Sequence, residues 1–317
     1  MDITFQALKR LVPLFIMLFA AGIASHPALA ETAAEGQAGE GETARRLTER
    51  PEGRNPLTGG RLLYFPTGDL YPPYAADPFR VGFGFQPVHV TRVDIPNTTS
   101  SRVNLRAGGQ VGVVRSLSAD DPDLGWQVSL IGGFNDQNDV RNSLDNIGWD
   151  GHYGIILTAM PIHDLAFKLG LLHTSSHVGD EFMERTGRAR ISYTRQELAA
   201  GVSWFMNERW RVYTETGRAF SMSNRELQRP WRGQAGIEYE APPAIWSKRL
   251  AWYAATDLQA TQEREWKVDA AVQTGFVMRA EGRTWRIGVE WYHGRPPMGE
   301  FFQFTERYLS IGLWIDI

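Results

Sequence analysis

The chain has 317 residues, a formal net charge of −3, no cysteine, and 11 Trp, 10 Tyr and 16 Phe. Without cysteine, disulfide bonds and thiolate metal sites are excluded. The near-neutral charge and the absence of a glycine-rich phosphate loop argue against a nucleotide or nucleic acid partner. So many aromatic residues, combined with a mean hydropathy of −0.32, fit a membrane β-barrel, which carries aromatic girdles outside and polar residues inside.

The first residues have the pattern of a secretory signal peptide. Lys9 and Arg10 precede an apolar run at 11–23, and Ala28-Leu29-Ala30 provides a small-x-small cleavage pattern. The apolar run is too short to span a bilayer as a helix. The sequence therefore predicts a signal peptide over residues 1–30, cleaved after Ala30, and an exported mature chain.

Two segments precede the predicted barrel. Residues 31–60 are rich in Ala, Glu, Gly, Thr and Arg and have no aromatic residue, which predicts a disordered periplasmic tail. Residues 61–79 interleave prolines with aromatic side chains, which predicts an extended segment rather than a strand or helix. This segment is expected to dock on the barrel, either across its periplasmic mouth or inside its lumen.

Residues 80–317 have the two-residue periodicity of β-strands, which predicts an all-β, transmembrane, antiparallel β-barrel of about twelve strands. Short turns then fall on the periplasmic side and longer loops outside, as in bacterial outer-membrane barrels. Counts of ten or fourteen strands and a soluble β-sandwich are the alternatives. The predicted strands are 80–92, 102–116, 125–136, 148–160, 165–174, 189–206, 209–219, 231–241, 249–261, 265–280, 284–293 and 304–317.

The last ten residues, Tyr308–Ile317, alternate between aliphatic and other side chains up to the final residue. A strand with one aliphatic face can close a barrel by pairing with the first strand, which leaves no unpaired edge in the lipid. This ending predicts the bacterial outer membrane as the location. It also predicts recognition of Tyr308–Ile317 by the barrel-assembly machinery.

The predicted lumen carries seven cationic and seven acidic side chains. A wide ion-selective pore usually has a ring of one sign at its constriction, whereas interleaved charges pair with each other. The lumen is therefore expected to be narrow or plugged. The charges are Lys168, Arg195, Arg211, Arg232, Lys267, Arg279 and Arg286, with Glu197, Glu215, Glu238, Glu240, Asp257, Asp269 and Glu290.

One patch combines residues that could perform chemistry. His173, Ser175 and His177 share the lipid-facing parity of the fifth strand, and a His and a Ser two residues apart lie close enough for a base and a nucleophile. The patch resembles the His-x-Ser motif of outer-membrane phospholipase A and of lipid A deacylases. That resemblance implies Ser175 as nucleophile and His173 as base, and the neighbouring carboxylates Asp180 and Glu181 are candidate calcium ligands.

This chain also differs from the motif of outer-membrane phospholipase A. Outer-membrane phospholipase A has an Asn after the serine, where this chain has Ser176, and its third member is an Asn on the next strand. Here that strand offers Ser192, Thr194, Gln196 or Glu197. The other interpretation is a polar strand end whose Ser and His side chains bind open backbone groups.

Three longer segments resemble a single family of exported bacterial proteins that has no established activity. They are residues 65–78, residues 173–182 and residues 294–302 leading into the last strand. The resemblance implies a shared exported β fold. Two functions are carried forward: an envelope protein that is structural or passes a small solute, and an outer-leaflet lipid acyl hydrolase. Outer-membrane lipid and lipopolysaccharide are the expected partners. Arg295 is a candidate phosphate contact, although an ordinary solvated loop is the favoured interpretation of its segment.

Overall fold

The computed structural model describes residues 52–55, 60–119, 121, 123–246, 249–280 and 283–316. The predicted signal peptide and most of the predicted tail lie outside these residues. Within the described residues there are fourteen strands and one α-helix, α1 (Asp180–Thr186). The strands are β1 (Glu52–Arg54), β2 (Arg61–Tyr64), β3 (Phe83–Arg92), β4 (Ser101–Leu117), β5 (Gly125–Asp139), β6 (Asp145–Ile162), β7 (Leu165–Val178), β8 (Thr194–Phe205), β9 (Trp210–Met222), β10 (Trp231–Glu240), β11 (Leu250–Thr261), β12 (Val268–Ala280), β13 (Arg283–Gly294) and β14 (Glu306–Asp316).

Strands β3 to β14 form a closed barrel of twelve antiparallel strands, as predicted. Each pairs with the next, and β14 pairs back with β3, for example through Ser310 and Val88. Closure gives every strand two neighbours, so none has a free edge. One end, called here the turn end, holds the turns 163–164 and 206–209. The other, the loop end, holds the loops 179–193, 223–230 and 295–305.

The polarity of the barrel is reversed relative to that of a soluble protein. Outward-facing Leu169, Leu171 and Ile311 are exposed, Ile311 to 64%. Inward-facing Gln86 and Glu290 are about 1% exposed and are joined by a 2.8 Å hydrogen bond. Alternation along each strand therefore produces an apolar outer wall and a polar filling, which is the arrangement that suits a lipid bilayer. No helix among the described residues is long and apolar enough to cross a membrane.

Aromatic side chains concentrate on the outer wall near the strand ends. Near the turn end, Tyr239 contacts Trp210 and Trp252 with ring centroids 4.7 and 4.8 Å apart. Near the loop end, Trp149 and Trp231 are partly exposed. Rings with an apolar body and a polar edge are favoured at the boundary between lipid and water.

The lumen is held together by paired charges. Arg232 lies 2.6 Å from both Glu197 and Glu215, and Lys168 also pairs with Glu215. Glu197 also accepts from Arg195 at 3.1 Å. Such pairing offsets the cost of removing charges from water.

Two of the predicted lumen cations are exposed instead. Lys267 lies in the loop before β12, with its side chain 68% exposed and 3.6 Å from Glu265. Arg279 faces inward near the end of β12, but its side chain is 59% exposed beside Glu240. Both lie beyond the part of the barrel where strands on all sides exclude water.

Residues 65–82, called here the plug segment, occupy the lumen from the turn end. The Tyr74 ring stacks on Tyr213 at 3.8 Å, and its hydroxyl donates to Glu215 at 2.9 Å. The Arg211 guanidinium donates to the carbonyls of Pro72 and Pro73 at 2.8 and 3.3 Å. Proline has no backbone N–H, but its carbonyl still accepts hydrogen bonds, and here two such carbonyls bind the arginine. The plug segment is therefore bound to the inner wall of the barrel.

A buried carboxyl group anchors the start of the plug segment. Asp69 Oδ1 accepts from the amides of Gln110 and Gln127 at 2.7 and 3.0 Å. Burial raises the pKa of Asp69 to about 6, although these two amides act in the opposite direction.

The residues just before the plug segment differ from the expectation. Residues 61–79 were predicted to contain no strand, yet Arg61–Tyr64 forms β2, and Glu52–Arg54 at the end of the predicted tail forms β1. β2 pairs with the turn end of β4, for example Leu63 with Arg115, and β1 pairs with β2. The extra length of β4 supplies the open edge that orders these short segments.

Loops cover the other end of the barrel with a small apolar core, called here the outer cap. The cap is completed by α1, which begins after Gly179 and is followed by Gly187, whose φ of 70° suits glycine. The buried members of the cap come from three connections and two strand ends: Ile95, Ile147, Val178, Phe182, Met298 and Phe301.

A charge on the outer wall should destabilise the barrel. Ile311 lies in the middle of β14 and is the most exposed aliphatic residue of that strand. Ile311→Arg is expected to lower the free energy of unfolding by about 2–4 kcal/mol, because the midplane of a bilayer solvates a cation poorly. The measurement is urea unfolding of vesicle-inserted protein followed by Trp fluorescence. Ile311→Leu, the control, should change little; equal loss from both variants would contradict a lipid-facing position.

Removing the plug segment should open the lumen. Replacing residues 66–79 by a short Gly/Ser linker is expected to produce conductance steps in planar bilayers, where the intact chain produces none. Tyr74→Phe is the control, because it removes only the hydroxyl, with its hydrogen bonds to Glu215 and Tyr71, and leaves the ring packed. Conductance of the intact chain equal to that of the linker variant would contradict a filled lumen.

Candidate functional site

The candidate site lies on the outer wall where β7 approaches the loop end. β7 runs to Val178, beyond the predicted end at 174, so the whole patch from His173 to His177 lies on the strand. Ser175 Oγ lies 2.8 Å from His177 Nε2. In the tautomer that leaves Nε2 without a proton, the serine hydroxyl donates to the imidazole, which is how a base draws a proton from a nucleophile.

The predicted partner of Ser175, His173, has a different contact. Its ring stacks on Tyr153 of β6 with centroids 4.3 Å apart, and its buried Nδ1 has no hydrogen-bond partner. His177 stacks in the same way on Trp149, at 4.2 Å. The structure thus brings Ser175 to His177 and keeps His173 against an aromatic ring on the other side of the serine.

A gap in the β6 wall lies directly beside the serine. Register pairs Gly151 with Ser175, between Trp149 and Tyr153. A Cβ added at Gly151 would meet only ordinary contacts, 3.4 Å from Trp149 and 3.8 Å from the Ser175 carbonyl. A glycine inside a strand often marks a place where another group approaches the backbone. Ser175 therefore lies beside a gap at Gly151 that is flanked by the side chains of Trp149 and Tyr153.

The neighbouring strand β8 supplies the residues on the other flank. Register places Thr194 opposite Ser175 and Gln196 opposite His173, which puts their Cβ atoms within about 4.5–5.5 Å. Glu197 faces the lumen and is bound by Arg232 and Arg195, so it is not on this wall. Of the four residues considered as a third member, Thr194 and Gln196 share the outward face with the patch.

The two candidate calcium ligands lie in the first turn of α1. Asp180 pairs with Arg190 at 2.9 Å, with its side chain 79% exposed. No group of three His, Asp or Glu side chains suited to a metal ion occurs among the described residues. A cation here would need ligands beyond Asp180 and Glu181, such as lipid phosphate, backbone carbonyls or water.

The adjacent Ser176 faces inward and serves the outer cap. Its hydroxyl donates to Asp150 and accepts from the backbone N–H of Glu300 at 2.8 Å. Arg295, expected to be exposed to lipopolysaccharide, is instead buried, bound to Gln259 and stacked on Phe79 at 4.1 Å. The loop bearing Arg295 folds into the mouth of the barrel, which removes it from the surface.

Sequence reasoning found the polar half of this site and missed the aromatic half. Trp149, Gly151 and Tyr153 lie on another strand, and only the register of β6 against β7 brings them to the patch. One signal was present: these three residues share the parity of the outward-facing Ile155 and Leu157. A glycine between two aromatic residues on a lipid-facing parity could have been singled out.

A family model described as "Protein of unknown function (DUF1207)" matches residues 56–316, close to the predicted 61–317. No curated protein matches the chain.

Solved structures match the chain at the level of the fold. Outer membrane phospholipase A from Escherichia coli matches with a TM-score of 0.51 at 10% identity, covering 76% of this chain and 94% of that one. A calcium-bound dimer of the outer membrane phospholipase from Salmonella typhi has a TM-score of 0.50 at 11% identity and covers 78% and 94%. The NanC porin has a TM-score of 0.42 at 12% identity and covers 74% and 100%. The two phospholipase matches show that the fold is that of an outer-membrane barrel.

The hydrogen bond to His177 predicts which histidine activates the serine. A fluorophosphonate probe should label Ser175 of the folded barrel, and His177→Ala should slow labelling by about 10²–10⁴-fold, the usual contribution of a general base. His173→Ala should slow it less, because His173 contacts Tyr153 rather than the hydroxyl. Labelling is followed by mass spectrometry of the modified peptide. A larger loss with His173→Ala would make His173 the base.

Proposed function

The chain belongs to the family described as protein of unknown function (DUF1207), and we propose that this member is an outer-membrane acyl hydrolase that cleaves lipid esters at Ser175. The observation that carries the proposal is the 2.8 Å contact between Ser175 Oγ and His177 Nε2 on the outer wall. An enzyme that acts on a water-soluble substrate in its lumen would gain nothing from a nucleophile on its lipid-facing wall. A lipid-facing nucleophile has the bilayer itself as its source of substrate.

In the proposed reaction, Ser175 Oγ attacks the carbonyl carbon of a lipid acyl ester, and His177 Nε2 takes the hydroxyl proton. The imidazolium then returns that proton to the leaving alcohol, and the acyl group remains on the serine. Water, deprotonated by the same imidazole, then attacks the acyl carbon, and the imidazolium returns the proton to Ser175 Oγ as the bond to the serine breaks and the fatty acid leaves. Trp149, Tyr153 and the gap at Gly151 would accommodate the acyl chain beside the nucleophile.

The site residues carry different parts of this proposal. Ser175 is the nucleophile, and His177 is the base that the hydrogen bond favours. His173 is the alternative base, reachable by a change of rotamer away from Tyr153, with Gln196 in register to orient its ring. Asp180 and Glu181 remain candidates for a calcium ion that would bring a phosphate headgroup to the loop end.

The proposal includes the cellular setting. Residues 1–30 would direct export and be cleaved after Ala30, and Tyr308–Ile317 would be recognised by the barrel-assembly machinery. The apolar wall with its aromatic belts supports residence in the outer membrane, with the loop end outward. Phospholipid or lipopolysaccharide in the outer leaflet would then be the substrate.

A second candidate function is the controlled passage of a small solute through the lumen. It is favoured by the charged cavity that remains between the plug segment and the outer cap, lined by Lys168, Glu215 and Arg232 among others. Passage would require the plug segment to move, because it fills the lumen at Tyr74 and Tyr213. Conductance of the intact chain would favour this function.

Hydrolysis by the detergent-folded mature chain tests the first proposal. Release of fatty acid from phospholipid and from lipopolysaccharide is measured with and without calcium. Ser175→Ala is expected to lower turnover by at least about 10³-fold, the scale of losing a catalytic nucleophile. If turnover depends on calcium and Asp180→Asn abolishes that dependence, the cation site includes Asp180.

Ser310→Ala is the matched control. Ser310 lies inside the barrel, where it accepts a hydrogen bond from Gln86 at 2.6 Å, so its loss should leave turnover within about twofold. Equal turnover by Ser175→Ala and the intact chain would refute the assignment. No turnover from a demonstrably folded barrel would leave His173–His177 as a polar strand end.

A further inference from the structure

A cavity of about 200 Å³ remains in the lumen between the plug segment and the outer cap. Its wall combines residues of the plug segment, such as Asp77 and Arg80, with strand residues such as His152 and Arg195, and with Arg295 from the last loop. Tyr153 and His173 of the outer-wall patch also border this cavity, whereas Ser175 and His177 of the proposed hydrolase site do not line it.

The carboxylates in this wall each already accept at least two hydrogen bonds or ion pairs. Glu197 and Glu215 each accept from Arg232 at 2.6 Å and from a second cation. Asp150 accepts from Ser176 and from the Gly299 N–H, and Asp77 accepts from Gln259 and the Phe79 N–H. These acceptors leave little capacity for a cationic ligand.

The unused hydrogen-bonding capacity of the wall lies on nitrogen atoms. Among the residues lining the cavity, buried nitrogens without a hydrogen bond occur on Arg80 (Nε and Nη2), Arg195 (Nε), Arg295 (Nε), His152 (Nε2) and His173 (Nδ1). Arg80 and Arg195 are each only 6% exposed. The arginine nitrogens can only donate, and a buried donor without a partner is costly, so the cavity favours a guest that brings acceptor atoms.

Charge at one side of the cavity points in the same direction. Arg80 pairs with Asp316 at 2.7 Å, and Arg286 pairs with the same carboxylate. Two guanidinium groups thus share one carboxylate among the described residues, which leaves one positive charge in excess. An arginine with two free N–H groups and excess charge is suited to a carboxylate or phosphate oxygen.

We propose that this cavity binds a small oxyanion, a solute bearing one carboxylate or phosphate group, with Arg80 as its principal cationic contact. The small volume limits the guest to little more than its acidic group, since pockets for drug-sized ligands usually exceed about 300 Å³. Because Arg80 belongs to the plug segment, a bound oxyanion would also tie this segment to the strands. Occupancy would then favour the closed lumen.

Calorimetric titration of the detergent-folded mature chain tests this proposal. Sodium phosphate and sodium acetate are titrated separately in chloride buffer at constant ionic strength. Saturable binding of at least one of them is expected. Arg80→Gln should weaken that binding at least tenfold, because it removes the excess charge and both free N–H groups. Thr174→Leu, which adds bulk to the wall without removing a charge, should also weaken it.

Arg279→Gln is the matched control. It removes another inward-facing arginine near the same end of the barrel, but Arg279 pairs with Glu240 and does not line the cavity, so binding should change less than threefold. Absence of saturable binding of both probes by the folded chain would mean a water-filled cavity and overturn the proposal. Equal weakening by Arg80→Gln and Arg279→Gln would also overturn it, since a diffuse charge effect would explain that result.

Discussion

The closed ladder of backbone hydrogen bonds from β3 round to β14 is the constraint on which the rest of the structure depends. In lipid no water is available to bind an open strand edge, so the last strand must meet the first. The pairing of β14 with β3, through contacts such as Ser310 with Val88, meets this requirement. Closure in turn fixes which side chains face out, because alternate residues lie on opposite faces of a strand.

Closure also creates the problem that the lumen has to solve. A barrel of twelve strands encloses more space than inward side chains alone fill, and its interior positions carry charges. The plug segment supplies the missing volume and the missing partners: Tyr74 binds Glu215, and the carbonyls of Pro72 and Pro73 bind Arg211. The plug segment and the charged lumen therefore stabilise each other, since without the segment these groups would face water or remain unpaired.

Most of the architecture could be predicted because it depends on local periodicity. Strands such as β12 and β13 alternate so regularly that their ends were placed within a few residues, and twelve strands follow from counting them. The site depended on information that periodicity does not contain. Ser175 and His177 are on one strand and could be found together, whereas Trp149, Gly151 and Tyr153 reach them only through the register of β6 against β7. Arg295 was misjudged for a similar reason, because the fold of its loop into the barrel mouth depends on partners such as Asp269 and Gln259.

Polar side chains inside the barrel have several hydrogen-bond partners each, whereas the polar patch on the outer wall has few. This difference explains why hydrolysis is assigned to the outer wall. Inside, the carboxylates that line the lumen are held by arginine, lysine, tyrosine or amide donors, and a group held by several partners is poorly placed to exchange a proton. Outside, Ser175 has a single hydrogen-bond partner, His177, and a glycine leaves space beside it. A nucleophile needs both a base and an approach for its substrate. Within the described chain, the patch on β7 combines these two features on a surface that lipid can reach.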